Sequence, residues 1–134
     1  MAQKLNPYIT FNGNCAEAMD FYAAVLGGTP DVTHFRDFGM DADGVMHAAL
    51  ETPAGFHLFA SDYAEGMDAP LQQGNNIQVS IAGDESEALR GYWEGLAEGG
   101  QVLMPLERQP WGDDYGQLVD RFGVRWHVNI APAG

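Results

Sequence analysis

Positive charge is scarce in this chain. Six Lys and Arg residues stand against nineteen Asp and Glu, a formal net charge of −13 over 134 residues. Lys4, Arg36, Arg90, Arg108, Arg121 and Arg125 are scattered and form no basic patch. So acidic a chain repels phosphate backbones and anionic lipid, which argues against nucleic acid or a membrane surface as partner. Cysteine is nearly lacking too. Cys15 stands alone, so no internal disulfide forms and a reducing compartment fits. No apolar run approaches the length of a membrane span. The opening residues, MAQKLNPYITFNGN, have no sustained apolar core, so no secretory signal is expected and the expected location is the cytoplasm. The chain also lacks a Gly-x-Ser-x-Gly elbow and a phosphate loop.

What is present is apolar residue in quantity, 46% of the chain. That suffices for a single domain over residues 1–134 to bury a core unaided, and it excludes a disordered chain. The apolar residues recur with an internal period. Displaced by about seventy residues, Glu17-Ala18-Met19, Tyr22 and Leu26 fall on Glu87-Ala88-Leu89, Tyr92 and Leu96, a period of the kind that marks a repeated unit. Ile9-Thr10-Phe11 falls on Val79-Ser80-Ile81, and Gly27-Gly28 on Gly99-Gly100 after a slip of two.

Each half reads alike. Tyr8 to Asn12 alternates as a half-buried strand does. Asn14 is the expected N-cap, with Glu17 completing a capping box. Met19, Tyr22, Val25 and Leu26 make the apolar face of a helix that Gly27-Gly28 stops. Strands are expected at 31–38, 45–51 and 56–61, between Gly- and Pro-bearing turns. In the second half Ile77 to Ile81 is the strand, Asp84 and Glu87 the capping box, and Leu89, Tyr92, Trp93 and Leu96 the helix face. Strands follow at 101–108, 116–120 and 124–130. The modules run over about 5–62 and 75–131, joined by a linker at 63–74, and the order is βαβββ twice.

Several stretches carry a resemblance over nearly the whole chain. They are Pro7-Tyr8-Ile9-Thr10-Phe11-Asn12-Gly13-Asn14-Cys15, Ala18-Met19-x-Phe21-Tyr22 with Leu26-Gly27-Gly28, Val45-Met46-His47-Ala48 and Ser61-Asp62. Near the end come Gln109-x-Trp111-Gly112-x-x-Tyr115-Gly116 and Asp120-x-Phe122-Gly123-Val124-x-Trp126. With the doubled module they resemble the glyoxalase / bleomycin-resistance / extradiol-dioxygenase (vicinal oxygen chelate) superfamily, and within it the PhnB-like group. The resemblance implies an α+β fold whose two modules form a curved, half-barrel mixed sheet around a cavity. It also implies a homodimer. It fixes no reaction, because isomerases, dioxygenases, thiol transferases and passive drug binders share this scaffold. Some relatives carry a ubiquinone-methyltransferase-like label, yet no glycine-rich loop in a βαβ context is here to hold a methyl donor.

Metal-using members, by the same resemblance, hold a cation with His, Gln or Glu on the first and last strands of each module. Those positions here hold Tyr8, Phe59, Gln78 and His127. Zinc, iron or manganese asks for about three imidazole, carboxylate or thiolate ligands, and this set supplies one. No metal and no cofactor is expected. His34, His47 and His57 complete the histidines, without His-x-His or His-x-x-x-His spacing.

The expected cavity is lined by Tyr8, Thr10, His47, Gln78, Trp111, Tyr115 and His127, a mixture suited to an uncharged or weakly polar small organic ligand. If a bond is made or broken, His127 would be the base and Gln78 or Tyr8 the oxygen-polarising donor. The ordinary readings stand beside these. His127 and His47 serve equally as hydrogen-bonded core histidines, and Asp62 as a turn former at a strand end. Asp113 and Asp114 read as a solvated turn under a lid of Trp111 and Tyr115, and Cys15 as packing. Two other functions fit less well. A metal-dependent lyase, isomerase or dioxygenase would need rearranged ligands. A resistance-type thiol transferase would need cations gathered around an anionic antibiotic.

Overall fold

The computed structural model describes residues 3–64, 66 and 70–132. The chain divides into two compact units, one ending at Gln73 and the other beginning at Gly74. The predicted linker at 63–74 lies partly outside the described residues.

The first unit contains β1 (Tyr8–Phe11), α1 (Cys15–Leu26), β2 (Asp31–His34), β3 (Val45–Glu51) and β4 (His57–Asp62). The second contains β5 (Val79–Gly83), α2 (Ser86–Ala97), β6 (Gln101–Arg108), β7 (Asp114–Val119) and β8 (Arg125–Ile130). Each unit is therefore βαβββ, and the class is α+β. Each carries one open four-stranded mixed sheet, ordered β1-β4-β3-β2 and β5-β8-β7-β6. The pairs β1–β4 and β5–β8 are parallel, and the others are antiparallel.

The repeat persists in atomic detail. Positions 68 apart share a place in the central hairpins: Leu50 pairs with Leu58 as Leu118 pairs with Trp126. Their turns match as well. The Thr52 amide donates to the Phe56 carbonyl at 3.0 Å, and the Asp120 amide to the Val124 carbonyl at 2.8 Å.

Alternation sets the two faces of each central strand. Leu58, Ala60 and Asp62 of β4 are buried, as are Trp126, Val128 and Ile130 of β8, while the residues between them are half-buried. The buried rows meet the helices. Helix α1 presents Cys15, Ala18, Met19, Tyr22 and Leu26, all buried, at the spacing of one helical stripe. Full burial of a side chain such as Met19 or Leu26 is worth roughly 1.5–3 kcal/mol. Gly28 closes the turn after α1 with φ +84°, and a Cβ there would sit 2.4 Å from the Glu51 carbonyl oxygen. Only glycine fits both demands.

Four local expectations need correcting. The strand predicted at 31–38 stops at His34, and Phe35–Phe38 form a 3-10 turn. Asp37 captures the His34 amide at 2.8 Å there, which favours a turn over further extension. The strand predicted at Ile77–Ile81 begins at Val79. Asn14 stands at the N-cap of α1 as expected but makes no side-chain cap bond, and α2 is capped at Glu85 in place of Asp84, again with no side-chain bond. Nor are Asp113 and Asp114 a solvated turn, because Asp114 opens β7 and is held by two arginines.

The cap of α1 comes from elsewhere in the unit. Asp62, 3% exposed, ends β4. Its Oδ1 accepts from the amides of Gly13 and Cys15, both at 2.9 Å, and its Oδ2 from the amide of Val45 at 2.8 Å. One buried carboxylate thus ties the start of α1 to β3. Asp120, also 3% exposed, holds the turn between β7 and β8 in the second unit, where Thr52 stands in the first. Its oxygens accept from the amides of Phe122 and Val124 and from Trp126 Nε1 at 2.9 Å.

Candidate functional site

The half-buried rows carry Thr10, His47, Tyr115 and His127 of the predicted site residues, while Tyr8, Gln78 and Trp111 are exposed. In the first unit Tyr8 of β1 lies beside Phe59 of β4 in register. His47 of β3 completes a cluster: its ring centroid is 5.3 Å from Phe59 and 5.7 Å from Tyr8. The Tyr8 hydroxyl and His47 Nδ1 are 3.3 Å apart. Thr10 follows Tyr8 two residues on, so it shares that face, beside Ser61.

The second unit builds a comparable pair from different strands. The Tyr115 hydroxyl of β7 lies 2.6 Å from Nδ1 of His127 on β8. Gln117, which pairs with His127 in register, donates from Nε2 to the same hydroxyl at 3.0 Å. The hydroxyl oxygen is thereby an acceptor for Gln117, and the direction of its bond to His127 Nδ1 is set by the imidazole tautomer. With the hydroxyl donating to Nδ1, His127 in its neutral tautomer carries the proton on Nε2 and can donate from it. Trp111, 61% exposed, stands edge-on to Tyr115 at 5.9 Å. His47 and Tyr115 are themselves 68 positions apart, and so are Phe59 and His127. The two units therefore reach a tyrosine–imidazole pair from one equivalent position, His47 and Tyr115, and two non-equivalent ones, Tyr8 on β1 and His127 on β8.

Gln78 is not brought to this cluster. It precedes β5, is exposed, and donates from Nε2 to the Asn75 carbonyl at 2.9 Å. The β5 residue in register with His127 is Ser80. Gln117, Ser80 and Arg125 were missed in the sequence, although the period-two rule would have found two of them. Gln117 follows Tyr115 by two on one strand, and Arg125 precedes His127 by two on the next.

The remaining charged groups have structural partners. Asp114 is bound by Arg90 and by Arg108 Nε, the latter at 2.9 Å. The Arg108 hydrogen bond, aided by the charges of both arginines, holds its carboxyl below the usual carboxylate range. Asp113 accepts from Asn129 Nδ2 at 2.9 Å. Burial, and next the neighbouring Asp62, push the Cys15 thiol up to about 12. A thiol so protonated and enclosed is a poor nucleophile, which leaves it to packing. A cleft of about 250 Å³ opens between α2 and β6, lined by Arg90, Trp93, Glu94, Val102, Pro105 and Leu106, with none of the predicted site residues.

The donor set does not suit a divalent metal. Among the described residues no three His, Cys, Asp or Glu side chains gather into a possible metal site. In the second unit His127 offers one imidazole whose Nδ1 is already engaged, beside the hydroxyl of Ser80. In the first, the positions on β1 and β4 hold Tyr8 and Phe59.

Comparison with known proteins agrees with this architecture. The model of the Glyoxalase/Bleomycin resistance protein/Dioxygenase superfamily matches residues 4–128. Protein YjdN of Escherichia coli is 24% identical over 140 residues, covering 94% of each chain. The crystal structure of protein PA1353 from Pseudomonas aeruginosa is 36% identical with a TM-score of 0.87, over 98% of this chain and 100% of that one. A Bacillus cereus PhnB protein, named as a putative 3-demethylubiquinone-9 3-methyltransferase, superposes with a TM-score of 0.76 at 22% identity, over 96% and 100% of the two chains. At that identity the likeness is one of fold alone, and the methyltransferase name stays with that protein.

Proposed function

From the premise that the chain belongs to the glyoxalase/bleomycin-resistance/dioxygenase superfamily, we propose that it is a PhnB-like small-molecule-binding protein. It works without the superfamily's usual metal, and its reaction is unassigned. One observation carries the reading: the Tyr115–His127 bond with Gln117 behind it, on the sheet face turned away from α2. Polar groups held in such a chain have their rotamers and tautomer fixed before a ligand arrives, which lowers the cost of ordering them. His127 would present Nε2–H to an acceptor atom of the ligand. In that role it would be a hydrogen-bond donor to the ligand, an alternative to the base that its position in the sequence suggests. Trp111 and Tyr115 supply apolar walls, and Tyr8, His47 and Thr10 form a second polar cluster in the first unit. The single buried thiol suits a cytoplasmic location.

Native mass spectrometry of the protein purified from its own host tests the proposal. The wild type should carry a small organic molecule, and His127→Ala should lose it while keeping its far-ultraviolet circular dichroism. A folded His127→Ala protein that retains the molecule would remove His127 from the site, and a wild type that never carries one would count against binding as the function.

A further inference from the structure

The outward face of the second unit's sheet is electrically polarised. Along β8 the half-buried row is Arg125, His127, Asn129, and beside it on β7 stand Val119, Gln117 and Tyr115. Acidic groups gather at the Tyr115 end. Glu107 is the β6 partner of Tyr115, and Asp113 is bound by Asn129. Arg125 stands at the other end. Arg36, Arg90, Arg108 and Arg121 all have carboxylate partners, whereas Arg125 pairs with none among the described residues. In a chain with a net charge of −13, a half-buried arginine without a carboxylate partner is a cation available to an anionic group.

We propose that this face takes an aromatic monocarboxylate, with the carboxylate between Arg125 and His127 and the ring against Tyr115 and Trp111. The proposal rests on the preceding reading of the Tyr115–His127 face as the binding site, and adds the chemical class of its ligand. Arg125 and His127 share one strand face, about 7 Å apart along the chain, so one small anionic group can lie within reach of both. A guanidinium is a bidentate donor matched to carboxylate geometry. The Nε2–H of His127 supplies a further donor, and the Ser80 hydroxyl lies beside it in register. The Tyr115 ring meets His127 and Trp111 edge-on at centroid separations of 5.4 and 5.9 Å, which gives an aromatic wall for an apolar body. Glu107 and Asp113 repel the anionic end from the Tyr115 side, which orients the ligand. A single unpaired cation also favours one negative charge over the two of a phosphonate, because Arg90 and Arg108 are both spent on Asp114.

The test is a titration of the full isotope-labelled chain with phenylacetate, and with phenylacetamide as its neutral isostere, followed by nuclear magnetic resonance. Phenylacetate should shift the Trp111 indole and His127 ring signals and bind about tenfold or more tighter than the amide. Arg125→Gln should erase that preference by weakening phenylacetate alone, and Arg125→Lys should restore part of it. Equal binding of acid and amide, an Arg125→Gln effect within about twofold, or no shift on this face at millimolar phenylacetate would each overturn the proposal. A neutral molecule that copurifies and depends on His127 would sink the carboxylate assignment and leave the binding site standing, so the two failures are separable.

Discussion

Asp62 shows how a single residue can be read in two ways until its partners are known. At the end of an apolar strand it could turn the chain or hold a ligand. Both of its oxygens are engaged in the structure, by three backbone amides. Removing the carboxylate strands those amides in a buried setting, at about 1–3 kcal/mol each before relaxation. Asp62→Ala should therefore lower unfolding free energy by roughly 3–5 kcal/mol, read as a reduced urea midpoint at unchanged slope. Asp62→Asn should fall between, because its oxygen can keep two of the amides while its NH2 opposes the third. A loss below about 1 kcal/mol for the alanine variant would mean that water or another group replaces it. None of this was legible in the sequence. The capping pattern at Asn14 and Glu17 is locally sound, yet a residue 47 positions further on takes the amide of Cys15.

At the scale of elements, the turn after α1 must fit under the end of β3. Two glycines there read in the sequence as a helix stop, and they are one. What the sequence does not disclose is the closeness of approach. Gly28 needs a positive φ and also lies against the Glu51 carbonyl, whereas Gly55 needs a positive φ with open space around it. Left-handed backbone costs an alanine roughly 1–2 kcal/mol. Gly55→Ala should therefore cost about that much, and Gly28→Ala measurably more, since main chain must move. Thermal unfolding of the two variants side by side checks the order, and equal losses would show that the turn yields freely. Helix faces and central strands were legible at this scale because burial imposes periods of 3.6 and 2 on residue type. The edges were less so. β6 carries Pro105 and two register irregularities, and it tolerates them because a strand at the sheet edge pairs on one side only.

At the scale of the whole molecule, β6 leaves Val102, Leu103 and Met104 each about two-fifths exposed along an unpaired edge. Apolar side chains on an open strand edge invite pairing with another chain. We propose that two copies associate, and sedimentation equilibrium at micromolar concentration should return close to twice the 14.6 kDa of one chain. A species at the single-chain mass would reject a stable dimer. The sequence by itself determined the doubled βαβββ order, the helix faces, the solitary thiol and the acidity that disfavours nucleic acid, because each follows from local periodicity or from counting. It also placed Tyr8, His47 and His127 on strands, whereas Tyr115 read as part of a lid and stands in β7 instead. Only the tertiary structure decided that Tyr115 bonds to His127 through a hydroxyl oriented by Gln117, and that Ser80 stands where Gln78 was expected. It alone left Arg125 without a carboxylate. Those outcomes depend on register between strands far apart in the chain, where a shift of one residue turns a side chain to the opposite face.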